Sequence, residues 1–131
     1  MNKLLLVIGL VFCLKLSAQS DIKFKELKHS FGKIKQNKPV TYLFSFTNEG
    51  NKPLIVENAM AGCGCTTPDY PKQPIGKGKE AKITVTYNAA ALGTFKKDVT
   101  VKFANHPEPI VLVIEGEVLA KGGKEVIIAP N

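Results

Sequence analysis

Cys63 and Cys65 stand one residue apart in the stretch Ala61-Gly62-Cys63-Gly64-Cys65-Thr66-Thr67-Pro68, and they are the pair whose type and spacing best suit chemistry. Along a straight strand, residues i and i+2 point the same way with Cα atoms about 6.6–6.8 Å apart, the far limit of disulfide geometry. A turn shortens that distance. Gly62 and Gly64 permit one, and Pro68 stiffens its exit. A bridge closing so small a loop stabilises by roughly 1.6 kcal/mol before strain is subtracted, which makes it a poor staple. A strained, exposed bridge is easily reduced and is therefore a comparatively strong oxidant.

Two other readings of the same residues stand beside the bridge. Paired thiolates suit a soft ion such as copper(I), with Met60 as a nearby thioether; zinc normally needs four ligands. Alternatively both remain free thiols in a tight loop, for packing or for mixed disulfides with a partner. Asp69 and Tyr70 follow the loop and either line a recognition surface or belong to an ordinary polar turn. Other catalytic sets are missing. His29 precedes Ser30, but strand neighbours face opposite sides and no third group is indicated. His106 lies between Asn105 and Pro107 and reads as loop, and Gly76 and Gly78 are followed by no Lys-Ser/Thr phosphate cradle.

The ends set the compartment. Lys3 is a short positive region, Leu4 to Leu14 an apolar run, and Ser17-Ala18 a small-residue cleavage point, so residues 1–18 are expected to be a removed export signal. The apolar run is well short of the roughly 20 residues that span a bilayer, so no transmembrane helix is expected after cleavage. Cys13 lies inside that run behind bulky Phe12, a poor context for lipidation, and is expected to leave with the signal. The exported product meets an oxidising setting, periplasmic or extracellular, with Cys63 and Cys65 as its cysteines. Losing Lys3 and Lys15 takes the formal net charge from +7 to +5. Every basic residue is lysine, and the lysines are scattered. Without the arginine fork that reads phosphate and base edges, a nucleic-acid partner is not expected.

The elements that must hold the cysteines are strands. Val40, Tyr42, Phe44 and Phe46 alternate with Thr41, Ser45 and Thr47, with Leu43 an apolar exception on the outer side. Ala81, Ile83, Val85 and Tyr87 form a second inward set, and Val99, Val101 and Phe103 a third. Ile22, Phe24 and Glu26 open the chain on one face, and Pro53-Leu54-Ile55-Val56-Glu57 begins a shorter strand. The run from Pro109 to Val118 is apolar on both faces until Glu115, as a central or doubly covered strand would be. Asn48 to Pro53 is a tight reversal with Gly50 free for positive φ, Lys77-Gly78 and Leu92-Gly93 mark further turns, and Asn88 to Leu92 has room for a single helical turn. The pattern predicts an all-β, immunoglobulin-like antiparallel sandwich of about seven strands over 22–118. Residues 119–131 are a tail or a last edge strand built on Glu125-Val126-Ile127-Ile128.

Four stretches in order carry a family resemblance: Phe31 to Ile34, Phe44 to Leu54, Ala61 to Pro68 and Ile83 to Val101. Together they resemble the bacterial secreted family catalogued as domain of unknown function 1573, most specifically through Cys63-Gly64-Cys65-Thr66 after the Asn48-x-Gly50-x-x-Pro53-Leu54 turn. Lys77-Gly78 stands where that family has Pro-Gly; the turn glycine is kept. The resemblance implies an immunoglobulin-like sandwich akin to abnormal-spindle–hydin and major-sperm-protein domains, which are mostly binding and scaffolding modules, and it supplies no reaction. The expectation is an exported, non-enzymatic interaction or assembly module that meets protein or another envelope component and needs no cofactor. The alternative is a thiol-redox or copper(I)-binding protein centred on Cys63-Gly64-Cys65.

Overall fold

The computed structural model describes residues 20–120. The expected signal with Cys13, and the tail beyond residue 120 with Glu125–Ile128, lie outside the described residues. Eight strands follow in order: β1 (Ile22–Phe24), β2 (Lys28–Lys35), β3 (Val40–Asn48), β4 (Val56–Ala61), β5 (Thr66–Asp69), β6 (Glu80–Tyr87), β7 (Gly93–Phe103) and β8 (Ile110–Leu119). They make two four-stranded sheets, β1-β3-β6-β5 and β2-β8-β7-β4, packed face to face as a sandwich.

The period-two pattern decides which side chains meet between the sheets. Phe44 and Phe46 of β3, Ile83, Val85 and Tyr87 of β6, and Val99, Val101 and Phe103 of β7 are all buried. At one end Phe103 packs edge-on to Phe46, ring centroids 5.4 Å apart, and Phe24 leans on Phe46 at 5.1 Å. At the other end Tyr87 stacks on Phe95 at 4.0 Å. Burying each aromatic contributes about 2–3 kcal/mol, which outweighs any single turn or surface pair.

Strand β8 is central, between β2 and β7, as its sequence suggests. Its outer face is not covered: Val111 is 45% exposed, so the apolar run reflects position within the sheet and not a second layer. Eight strands stand against the expected seven or so, and β2 and β5, with Gly- or Pro-bearing sequences, are the two whose alternation does not stand out in the sequence. One pairing departs from the antiparallel expectation. β2 runs parallel to β8, from Lys28 opposite Val113 to Lys35 opposite Leu119. No hairpin fixes its direction, because the chain reaches β2 by stepping from one sheet to the other over Lys25–Leu27. A bulge between Ser30 and Lys33, with Gly32 at φ +67°, bends this edge.

Two turn assignments change. Gly50 does not take positive φ; a Cβ there would lie 2.7 Å from Cγ of Asp21, so the glycine is required by close approach. The reversal is organised instead by buried Asn48, whose Nδ2 donates to the carbonyls of Lys52 (2.8 Å) and Ile75 (2.9 Å) while Oδ1 accepts the Gly50 N–H. Asn88 to Leu92 is not a helical turn: Ala89 is left-handed at φ 56° and buried, and the Asn88 side chain accepts the Ala90 N–H.

Candidate functional site: the corner between the sheets

Strand β4 ends at Ala61, opposite Val99 of β7; β5 begins at Thr66, opposite Tyr87 of β6. The four residues between them carry the chain from one sheet to the other. The corner is closed by the Thr66 N–H on the Cys63 carbonyl (3.4 Å) and held to the next loop by the Asn88 N–H on the Cys65 carbonyl (2.9 Å). It brings the Cα atoms of Cys63 and Cys65 to 5.3 Å, inside bridging range, with the sulfurs in bonding contact.

The turn forms without positive φ at Gly62 or Gly64, and an added Cβ at either would meet nothing within 4 Å. Neither glycine is demanded by backbone conformation or by a neighbour. Their effect is to leave both flanks of Cys63 without side chains. Cys65 packs against the core, whereas Cys63 lines an open groove of about 600 Å³ with Gly62, Lys96, Lys97, Asp98 and Thr100. The groove follows from topology: β4 pairs with β7 only from Val99 onward, so the Gly93–Asp98 part of β7 is paired with β8 alone among the named strands.

Two residues of the corner have roles that the sequence reading did not assign. Thr66, a loop residue by its place in the cysteine stretch, instead opens β5 and is buried, and its hydroxyl oxygen lies 3.6 Å from Sγ of Cys65 and 3.9 Å from Sγ of Cys63. Lys97 falls on the inward parity of β7, between Phe95 and Val99 and opposite Ile114, where it is half-buried. Among the described residues it has no ion-pair partner. The signal was available as a lysine interrupting an inward set, visible once that strand is read from Phe95 and not from Asp98.

The remaining candidates scatter. Pro68 is half-buried opposite Val85, on the inward parity of β5. The Asp69 carboxylate accepts the Tyr70 N–H (2.9 Å); the Tyr70 hydroxyl donates to the Glu57 carbonyl (3.3 Å), and Lys72 lies over its ring. Met60 is 60% exposed opposite Thr100, on the outer parity of β4, while Cys65 packs inward. His29 stacks on Tyr42 with centroids 3.5 Å apart, and the Ser30 hydroxyl accepts the Gly32 N–H, so the two make no catalytic pair. His106 sits in its loop, Nδ1 against the Ala104 carbonyl and Nε2 3.7 Å from Asp21. The Tyr42 hydroxyl donates to the Glu26 carboxylate, and this bond, with burial and the Glu26 charge behind it, holds the phenol above its ordinary pKa. Among the described residues no three His, Cys, Asp or Glu side chains converge as a metal site, and no helix is long and apolar enough to cross a membrane.

The fold recurs in proteins of very different sequence. A protein of unknown function from Porphyromonas gingivalis W83 superposes with a TM-score of 0.63 at 9% identity, over 79% of this chain and 51% of that one. PapD-like domain 7 of human CEP192, an ASH/PapD-like domain, gives 0.62 at 8% identity, over 76% and 86%. The secreted serine protease VesC from Vibrio cholerae gives 0.58 at 12% identity, over 75% and 23%. The chain thus spans about half the length of the first and under a quarter of the protease. At such identities the likeness is one of fold alone. No curated protein matches the sequence. Residues 22–118, from the first strand to the end of the core, match a family described as a protein of unknown function, and the chain therefore belongs to the DUF1573 family.

Proposed function

We propose that this protein is an exported, non-enzymatic interaction or assembly module of the cell envelope or exterior, periplasmic or extracellular, and that it meets a protein partner at the corner end of the sandwich. The observation that carries the reading is the asymmetry of the second sheet's two edges. The β2 edge is bulged and bears Lys28, Lys33 and Lys35, features that discourage strand addition. The opposite edge, β4, carries one charge, Glu57, paired with Lys102; from Asn58 into the Gly62–Gly64 corner it is uncharged, exposes the Met60 thioether and ends beside the bare stretch of β7. Backbone groups along such an edge suit an extended partner segment. The immunoglobulin-like and PapD-like architecture fits this use, and the expected signal at residues 1–18 would deliver the domain to the compartment.

A photo-crosslinking residue at Met60, with the same residue at Lys33 as control, tests the reading in intact cells. A defined adduct from position 60 and none from position 33 is the expected result, with fractionation placing it outside the cytoplasm. No adduct at 60, or identical adducts at both positions, overturns it.

A further inference from the structure

We propose that Cys63–Cys65 is an exchangeable disulfide with fixed polarity: Cys63 is the sulfur attacked, Cys65 the sulfur released, and the co-reactant is a dithiol carried on an extended peptide in the Gly62–Lys97 groove. Displacement at a disulfide is in line, so the attacking thiolate must approach one sulfur from the side opposite the other. Both cysteines are half-buried, but Cys65 is the one that packs against the core, with its carbonyl held by the Asn88 N–H. Cys63 is the one that lines the groove, and its neighbours Gly62 and Gly64 carry no side chain to cover it.

The rest of the corner serves the same direction of attack. Lys96 and Lys97 line the groove with Cys63, and Lys97 has no ion-pair partner among the described residues, so an incoming anion is favoured there. The Thr66 hydroxyl, nearer Cys65 than Cys63, is placed to donate to the thiolate that forms as the bond breaks. The bare Gly93–Asp98 edge of β7 runs alongside and gives an extended segment a backbone to pair with.

The step balances as follows. One thiolate of the partner attacks Sγ of Cys63; the Cys63–Cys65 bond breaks, and its electron pair leaves on Sγ of Cys65. The partner's second thiolate then attacks the partner sulfur of the mixed disulfide and expels Cys63 as thiolate. The partner is oxidised by two electrons to a disulfide, and the protein's pair is reduced by the same two. The two protons shed by the partner's thiols are available to Cys63 and Cys65.

Reduced glutathione, a monothiol that stalls at the first stage, is the probe. The oxidised protein carrying Cys13→Ser is incubated with it, quenched in acid, and the adduct located by peptide mass spectrometry. At least tenfold more adduct on Cys63 than on Cys65 is expected. Lys97→Gln should slow adduct formation several-fold, with the difference fading at high salt. Thr66→Val should slow it about tenfold, with Thr66→Ser restoring the rate. Lys97 is half-buried and has no ion-pair partner among the described residues, so its variant decides the matter if Thr66→Val unfolds. Adduct shared equally between the cysteines, rates unchanged in folded Lys97→Gln, or a bridge that dithiothreitol opens but millimolar glutathione does not, would each overturn the proposal.

Discussion

Replacing Gly116 by alanine probes the least expected feature of the fold, the parallel docking of β2 on β8. A Cβ at this position would stand 2.8 Å from the carbonyl oxygen of Gly32 and 2.9 Å from Cε1 and Cζ of Phe95. Carbon atoms in contact prefer about 3.5–4.0 Å, so both neighbours must retreat by several tenths of an ångström or more. Neither does so freely. The Gly32 oxygen is backbone at the β2 bulge, and Phe95 is held by its stack on Tyr87 at 4.0 Å. Overpacking of this kind costs about 1–3 kcal/mol, while removing a strand glycine returns at most about 1 kcal/mol from the unfolded chain. A net loss near 1 kcal/mol follows, or a Tm lower by about 4–8 °C in a domain of this size. Urea unfolding with an unchanged slope, together with a thermal melt, reads it directly. Gly62→Ala, whose Cβ meets nothing, is the control and should stay within about 0.5 kcal/mol. Adding Phe95→Leu should recover part of the Gly116→Ala loss, a coupling of at least about 0.5 kcal/mol. A Gly116→Ala protein as stable as its parent would refute the packing of β2 described above.

Further outcomes follow from two other sites. Asn48→Asp removes the donors to Lys52 and Ile75 and sets a carboxylate against their carbonyls in a buried site. Urea titration should show a loss of about 3 kcal/mol at neutral pH that shrinks in acid, once the carboxyl is protonated and can donate again. The Tyr42 phenol, held above its ordinary pKa first by the hydrogen bond to Glu26, then by burial and the Glu26 charge, should titrate late by NMR. Glu26→Ala should bring it down. Because the folded pKa exceeds the unfolded one, this contribution to stability is whole below about pH 10 and is lost as pH rises through the folded value. Tyr42→Phe should flatten that part of the stability profile.

What could be read from the sequence was whatever depends on near neighbours. Alternation of apolar and polar residues fixes the faces of β3, β6 and the end of β7 because side chains on a strand point to opposite sides with period two, and Phe44, Ile83, Val99 and Val101 are buried accordingly. The Asn48–Pro53 reversal was legible for the same reason, and so was the approach of Cys63 to Cys65, since a turn in four residues acts only locally. Which strand lies beside which was not. β2 meets β8 across some eighty residues of chain, and no local signal encodes a partner that far away. The need for glycine at Gly50 comes from Asp21 and not from φ, and Gly116 is confined by Gly32 and Phe95. The chemistry of the corner divides in the same way. The sequence names the two thiols, and Thr66 meets both sulfurs within the same local turn; only packing two sheets face to face turns Cys65 inward and brings Lys97 from another strand to the groove that Cys63 lines.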